Sequence, residues 1–214
     1  MHEPYKIERI NSKKRPKKRM AEAMMRWGKI MGYSEMAPHV AGKGWAGNIG
    51  FREKDAIWVT PSGGVINDIK MEDIVGITSK GSSIAYWSLR GAKPTSEWEI
   101  YWGLFKKRQD ANVILHGHDL FALEKAETLK KAYPDIVALT KNVTEAGSPE
   151  FRDEILEIAT NNNSYLIGRE HGFFALGRTF DEAGKLVLEF RSRANRLMIG
   201  EEKYLELINK HRIG

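Results

Sequence analysis

Cysteine is absent from the 214 residues of this chain, which excludes disulfides and thiolate metal ligands. Any bound metal must then be held by imidazole nitrogen and carboxylate oxygen. No apolar run approaches the roughly 18 to 20 residues that cross a bilayer. The N-terminal stretch carries charges where a signal peptide would have its apolar segment. A soluble, cytoplasmic protein with no membrane partner is therefore expected. Internal repeats and low-complexity tracts are also missing. The length suffices for a sizeable core, and one domain, residues 17–214, is expected behind a basic tail at 1–16.

An excess of charge exists, but only locally. Residues 1–30 hold ten Lys or Arg against three Glu, whereas residues 31–214 hold 24 basic and 25 acidic residues. The formal charge of +6 is thus a property of one end. Lys13-Lys14-Arg15-Pro16-Lys17-Lys18-Arg19 has the composition of a nucleic-acid or localisation patch, but such runs are more often the solvated start of a helix. It could also draw in an anionic substrate. The near-neutral body gives no reason to expect nucleic acid as a partner.

Histidine is scarce, with six residues, yet two stand one residue apart in His116-Gly117-His118. They close the apolar run Asn112-Val113-Ile114-Leu115, which predicts a buried strand. In a strand, residues i and i+2 share a face, so both rings would project from one surface about 7 Å apart. Such a pair can be two hydrogen-bonded histidines, which is the commoner case, or two ligands of one ion. A catalytic zinc site needs a third protein ligand and an open position. His171, which follows the strand-like Tyr165-Leu166-Ile167-Gly168 and precedes Gly172, is the candidate.

Hydrophobic spacing places the remaining elements. Met20, Ala23, Met24, Trp27, Ile30 and Met31 predict a helix over 17–31, followed by a loop over 33–46. Strands are expected around 47–51, 56–60, 74–78 and 83–89, with a single helical turn at 71–74. Trp98, Tyr101, Trp102 and Phe105 predict a helix opened by Pro94-Thr95-Ser96-Glu97. Ser96 and Glu99 have capping-box spacing, which puts Glu97 in the first turn, where free backbone amides favour negative charge. Helices at 120–133, 149–160, 181–198 and 202–210 and a short strand at 136–139 complete the reading. Short strands grouped between helices indicate an α/β fold with a central, mainly antiparallel sheet flanked by helices.

Four separated pieces, Gly47-Asn48, Thr60-Pro61-Ser62-Gly63, Pro94-Thr95-Ser96-Glu97, and His116-Gly117-His118 with His171-Gly172, resemble in order and spacing the class II aldolase/adducin family. The resemblance extends over about residues 17–198. It implies that His116, His118 and His171 bind one zinc ion per subunit and that Glu97 is the catalytic acid/base. It further implies that Asn48, Ser62, Gly63, Thr95 and Ser96 bind the phosphate of a small phosphorylated sugar. Turn and helix-start amides with short hydroxyls are suited to that task without lysine. The implied activity is a zinc-dependent lyase reaction, an aldolase cleaving or forming a ketose phosphate through a metal-stabilised enediolate of dihydroxyacetone phosphate.

The same scaffold serves sugar-phosphate 4-epimerases and dehydratases, and a non-catalytic adducin-like binding module is the alternative from outside enzymes. Family members commonly form homotetramers with sites at subunit interfaces, so a homotetramer is expected. Aldolases of the family recruit a tyrosine, often from a neighbouring subunit, to protonate the leaving group, and Tyr133 is a candidate. Trp45-Ala46 and Gly50 stand where the family often carries hydroxyl residues, and Asp119-Leu120-Phe121 replaces its usual small or proline-containing continuation.

Overall fold

Short segments rich in Val, Ile and aromatic residues, separated by glycine-containing turns, fill the middle of the chain, and in space they collect into one nine-stranded sheet. The structure is a computed structural model that describes residues 5–210 except Lys43. The first four residues of the expected tail and the last four of the expected domain lie outside the described residues. In chain order the elements are β1 (Ile7–Arg9), α1 (Lys18–Tyr33), β2 (His39–Val40), β3 (Gly44–Trp45), β4 (Gly47–Glu53) and β5 (Ala56–Val59). There follow β6 (Val75–Lys80), β7 (Ser83–Trp87), α2 (Trp98–Lys107), β8 (Val113–Gly117), α3 (Leu120–Glu124) and α4 (Ala126–Ala132). The last are β9 (Val137–Leu139), α5 (Pro149–Ile158), β10 (Tyr165–Gly168), β11 (Gly172–Gly177), α6 (Phe180–Ile199) and α7 (Glu201–Lys210).

The sheet runs β1-β7-β6-β5-β4-β8-β11-β10-β9. Its pairs are antiparallel except β1 with β7 and β9 with β10 at the two edges. This is the expected α/β fold with a mainly antiparallel sheet, and both faces are covered. On one face α1 and α6 lay Met24, Trp27, Met31, Val187 and Phe190 against Phe51, Trp58, Val113, Leu115 and Phe173. On the other, α2 and α5 pack Tyr101, Trp102, Phe105, Phe151 and Ile155 against Val59, Ile77, Ile114, Leu166 and Phe174. Successive residues of β8 therefore alternate between two cores, as strand parity requires. Because Ile114 belongs to the α2/α5 side, His116 does too.

Several expectations need correction. Ile7–Arg9, inside the expected 1–16 tail, pairs in parallel with β7 and extends the sheet edge. The carbonyl of Lys14 accepts the Trp87 indole N–H, and Lys14 and Lys17 face Asp55 and Glu53. Lys14 and Lys17 are thereby partly neutralised, while all six basic residues of the run stay exposed and lead into α1 at Lys18, the solvated helix start that was expected. The stretch 33–46 is not all loop, since β2 and β3 form a small hairpin. The expected helix 120–133 is two helices separated at Lys125. Helix α2 begins at Trp98, with Glu97 at its N-cap and not in its first turn. The Ser96–Glu99 capping box does not form: the N-cap is Glu97, and the Glu99 carboxylate pairs with Arg152 of α5.

Candidate active site

Three antiparallel strands, β4, β8 and β11, bring Asn48, His116 and Phe174 into one row across the sheet. His116 lies fully buried with its ring stacked on Phe174 at 4.1 Å between centroids. Its Nδ1 is 2.8 Å from the Phe173 carbonyl. Donation of that N–H leaves Nε2 as the free ring nitrogen, and Nε2 points to the same side as His118. His118 leaves the end of β8 with its Nε2 3.1 Å from that of His116. His171 sits in the turn between β10 and β11, where Glu170 adopts a left-handed φ of 55°. Its ring contacts both other imidazoles, at centroid distances of 5.2 and 4.5 Å.

Glycines allow this convergence. A Cβ on Gly117 would run into the Met36 carbonyl and the Phe173 ring, and one on Gly172 would lie 2.6 Å from the Gly117 carbonyl oxygen. Both positions must be bare for the histidine-bearing segments to approach so closely. One ring nitrogen from each of His116, His118 and His171 lies within 4.8 Å of the others.

Glu97 is the fourth member of the cluster. Its carboxylate lies 2.7 Å from His171 Nε2 and 3.0 Å from His116 Nε2. It also accepts the Asn48 amide at 2.7 Å. The Tyr101 hydroxyl in turn donates to the Asn48 carbonyl at 2.9 Å, tying α2 to β4 behind the site. Burial alone would raise the Glu97 pKa. Its close contacts with His116 and His171 outweigh it and hold the carboxyl well below its usual range. His118 is pushed down to about 3 by burial and then by its imidazole neighbours, so it is a neutral imidazole at ordinary pH.

This donor set fits a divalent cation. With the His116 proton committed to Phe173, the lone pair of His116 Nε2 meets a Glu97 oxygen at 3.0 Å with no proton between them. A cation resolves that crowding. Three imidazoles, no thiolate and a cavity in front are the makeup of an open catalytic metal site.

That cavity, of about 370 Å³, is lined by Asn48, Ser62, Gly63, Thr95, Ser96, Glu97, His118 and His171, among others. All five expected phosphate residues therefore face the same space as Glu97 and the histidines. The loops that carry them are joined. Pro61 bridges to Pro94, Ser62 N–H donates to the Lys93 carbonyl at 2.9 Å, and Thr95 N–H to the Thr60 carbonyl at 3.1 Å. Gly63 takes a left-handed φ of 68° at the tip of its turn. The cavity also has walls that motif reading did not find: Trp45 from the β2–β3 hairpin and Ala146-Gly147 from the loop before α5. Trp45 announced itself only as a departure from the family pattern, and Ala146-Gly147 carry no chemical signal. Tyr133 is not brought to the cavity. It caps α4, beneath the Arg193 guanidinium at 4.0 Å, and lines a separate hollow with Glu189 and Arg196.

Residues 30–197 match the family described as the class II aldolase and adducin N-terminal domain. The chain is 31% identical over 188 residues to the 5-methylthioribulose-1-phosphate/5-deoxyribulose-1-phosphate aldolase of Rhodospirillum rubrum, with 80% of each chain covered. It is 29% identical over 153 residues to the L-fuculose phosphate aldolase of Methanocaldococcus jannaschii, covering 68% of this chain and 78% of that one. Among solved structures, a sugar-phosphate aldolase from Thermotoga maritima superposes with a TM-score of 0.68 at 18% identity, covering 92% of this chain and 99% of the other. At that identity the likeness speaks for the fold alone.

Proposed function

Because the chain belongs to the class II aldolase and adducin N-terminal domain family, we propose that it is a zinc-dependent aldolase acting on a small ketose phosphate, releasing dihydroxyacetone phosphate and an aldehyde. The observation that carries this reading is the placement of Glu97, a buried carboxylate in contact with two of three clustered histidines and facing the cavity. A non-catalytic module has no use for a buried carboxylate among imidazoles, since such a group is costly unless paired.

His116, His118 and His171 would hold the ion, which when bound supplies Lewis-acid stabilisation of the negative charge left by carbon–carbon cleavage. Glu97 moves a proton on and off the adjacent carbon. Asn48 holds Glu97 through its amide, and Tyr101 holds the Asn48 backbone, so the carboxylate is oriented before substrate arrives. Ser62, Gly63, Thr95 and Ser96, on their two joined loops, receive the phosphate, with Asn48 beside them. A leaving-group proton from Tyr133 would have to come from a neighbouring copy, as in a homotetramer.

The test is metal analysis of purified protein followed by a panel of ketose 1-phosphates, with dihydroxyacetone phosphate detected as it forms. About one zinc per chain and release of dihydroxyacetone phosphate from at least one member are expected. An epimerised or dehydrated product without cleavage would move the assignment to those reactions, and failure to take up any divalent ion would leave an adducin-like module.

A further inference from the structure

The three imidazoles are not held alike. His116 is oriented by its own bond to the Phe173 carbonyl, whereas His171 meets Glu97 on the cluster side and packs against the edge of Phe151 at 4.4 Å. Metal-binding histidines ordinarily have a polar partner on the nitrogen that does not face the ion, as His116 has, and His171 has at least its aromatic neighbour. His118 has none. Among the described residues, the one hydrogen-bond-range contact of its ring is to His116 Nε2, inside the cluster itself. Its direction must come through the backbone on either side.

On one side Gly117 is paired with both Gly47 and Phe173 in the sheet. On the other stands Asp119, which is 1% exposed. Its Oδ1 accepts the Phe121 N–H at 3.1 Å, capping α3, and meets the Arg191 guanidinium of α6 at 3.1 Å. Arg191 in turn lies over the Phe121 ring at 5.2 Å. The residue after His118 is thus fixed to two helices at once.

A neutral side chain would cap α3 equally well, since Asn and Ser serve at N-caps as Asp does. A buried charge adds nothing to that task. It also leaves Asp119 Oδ2 without a hydrogen-bond partner, an arrangement that burial ordinarily penalises. The charge is required only for the link to Arg191.

We propose that the Asp119–Arg191 ion pair is a positioning device for His118, clamping the end of β8 to α6 so that the otherwise unsupported imidazole faces the metal. This rests on the reading of His116, His118 and His171 as metal ligands, and it concerns residues that do not touch the ion.

The test uses Asp119→Asn, which keeps size and capping ability, with Arg191→Met and Arg191→Lys, the last of which keeps the charge. Zinc affinity is measured by competition with a chromophoric chelator, and coordination by the visible spectrum after loading with Co²⁺. Loss of a metal-orienting partner typically costs 10- to 100-fold in affinity. We expect about that loss in Asp119→Asn and Arg191→Met, no further loss in the double variant, recovery in Arg191→Lys, altered cobalt bands in the two weakened variants, and unchanged circular dichroism throughout. Parent-like zinc affinity and cobalt bands in Asp119→Asn would make Asp119 a helix cap only and overturn the proposal while leaving the metal site intact. A parent protein that binds neither ion would instead overturn the metal site, and the proposal with it.

Discussion

At the scale of single residues, the site depends on which atoms are left without protons. His116 donates to a backbone carbonyl, so its second nitrogen is free, and the Glu97 carboxyl is held well below its usual range. His171 contributes the third nitrogen from a turn. Two histidines and water make a poor site, so His171→Ala should fold but lose at least about nine-tenths of its zinc on gel filtration. Full zinc retention measured by elemental analysis would remove His171 from the ligand set. Gly117→Ala tests the closeness of the strands. Its methyl would press on the Met36 carbonyl and Phe173, and overpacking of this kind costs about 1 to 3 kcal/mol. Urea unfolding at parent-like stability would show that the approach is less tight. The meeting of His116 and His118 was legible from their spacing, although His118 lies just past the end of β8 and not in the strand. Glu97 was legible as a residue but not in its position. Ser96 and Glu99 have capping spacing, and what spacing cannot show is that Arg152, more than fifty residues away in sequence, takes the Glu99 carboxylate.

At the scale of elements, two loops joined at Pro61 and Pro94 shape the expected phosphate end of the cavity. Since Ser96 is exposed and does not cap α2, Ser96→Ala should change stability by no more than about 0.5 kcal/mol. It should chiefly raise KM for a phosphorylated substrate, as expected when binding common to ground and transition states is removed. An unchanged KM would take Ser96 out of the phosphate site. Thr179 is the contrasting case, because its hydroxyl accepts the Glu182 N–H at 3.1 Å at the start of α6. Thr179→Ala should cost about 1 kcal/mol by urea unfolding, and no loss would mean that the cap is not a stabilising contact in solution. The helices α1 and α2 were legible because their apolar residues recur at helical spacing, one face of each being core. Strand β1 was not, because Ile7-Glu8-Arg9 has a single apolar residue and takes its place by backbone pairing at an edge. The β2–β3 hairpin was hidden by glycine-rich sequence with no alternation. The break at Lys125 carries neither glycine nor proline to mark it.

At the scale of the whole molecule, the sheet gathers four distant pieces of chain into one cavity, and an ion bound there would stabilise the folded state over the unfolded one by mass action. At free zinc one hundred times its dissociation constant, that stabilisation is about 2.7 kcal/mol. Chelation should therefore lower the melting temperature, and added zinc should restore it in the parent but not in His171→Ala. Equal melting temperatures with and without zinc would mean that the ion does not select the folded state. The order of the four pieces was readable from sequence, whereas their meeting was not, since Trp45 and Ala146-Gly147 join the walls through folding alone. The basic stretch 13–19, which by composition could have been a nucleic-acid patch, is partly occupied by Glu53 and Asp55. No helix among the described residues is long and apolar enough to cross a membrane.

The central claim is that Glu97 is a base acting beside a metal-binding histidine cluster. Its most direct measurement is deuterium incorporation at C3 of dihydroxyacetone phosphate, followed by NMR for the zinc-loaded parent and for Glu97→Gln at equal zinc content. The variant keeps the size of the side chain and removes its basicity. Exchange in the parent, falling by about two to four orders of magnitude in the variant, is the predicted result, that being the usual worth of a general base. Exchange that persists undiminished in Glu97→Gln, or that is absent from the zinc-loaded parent, would contradict it.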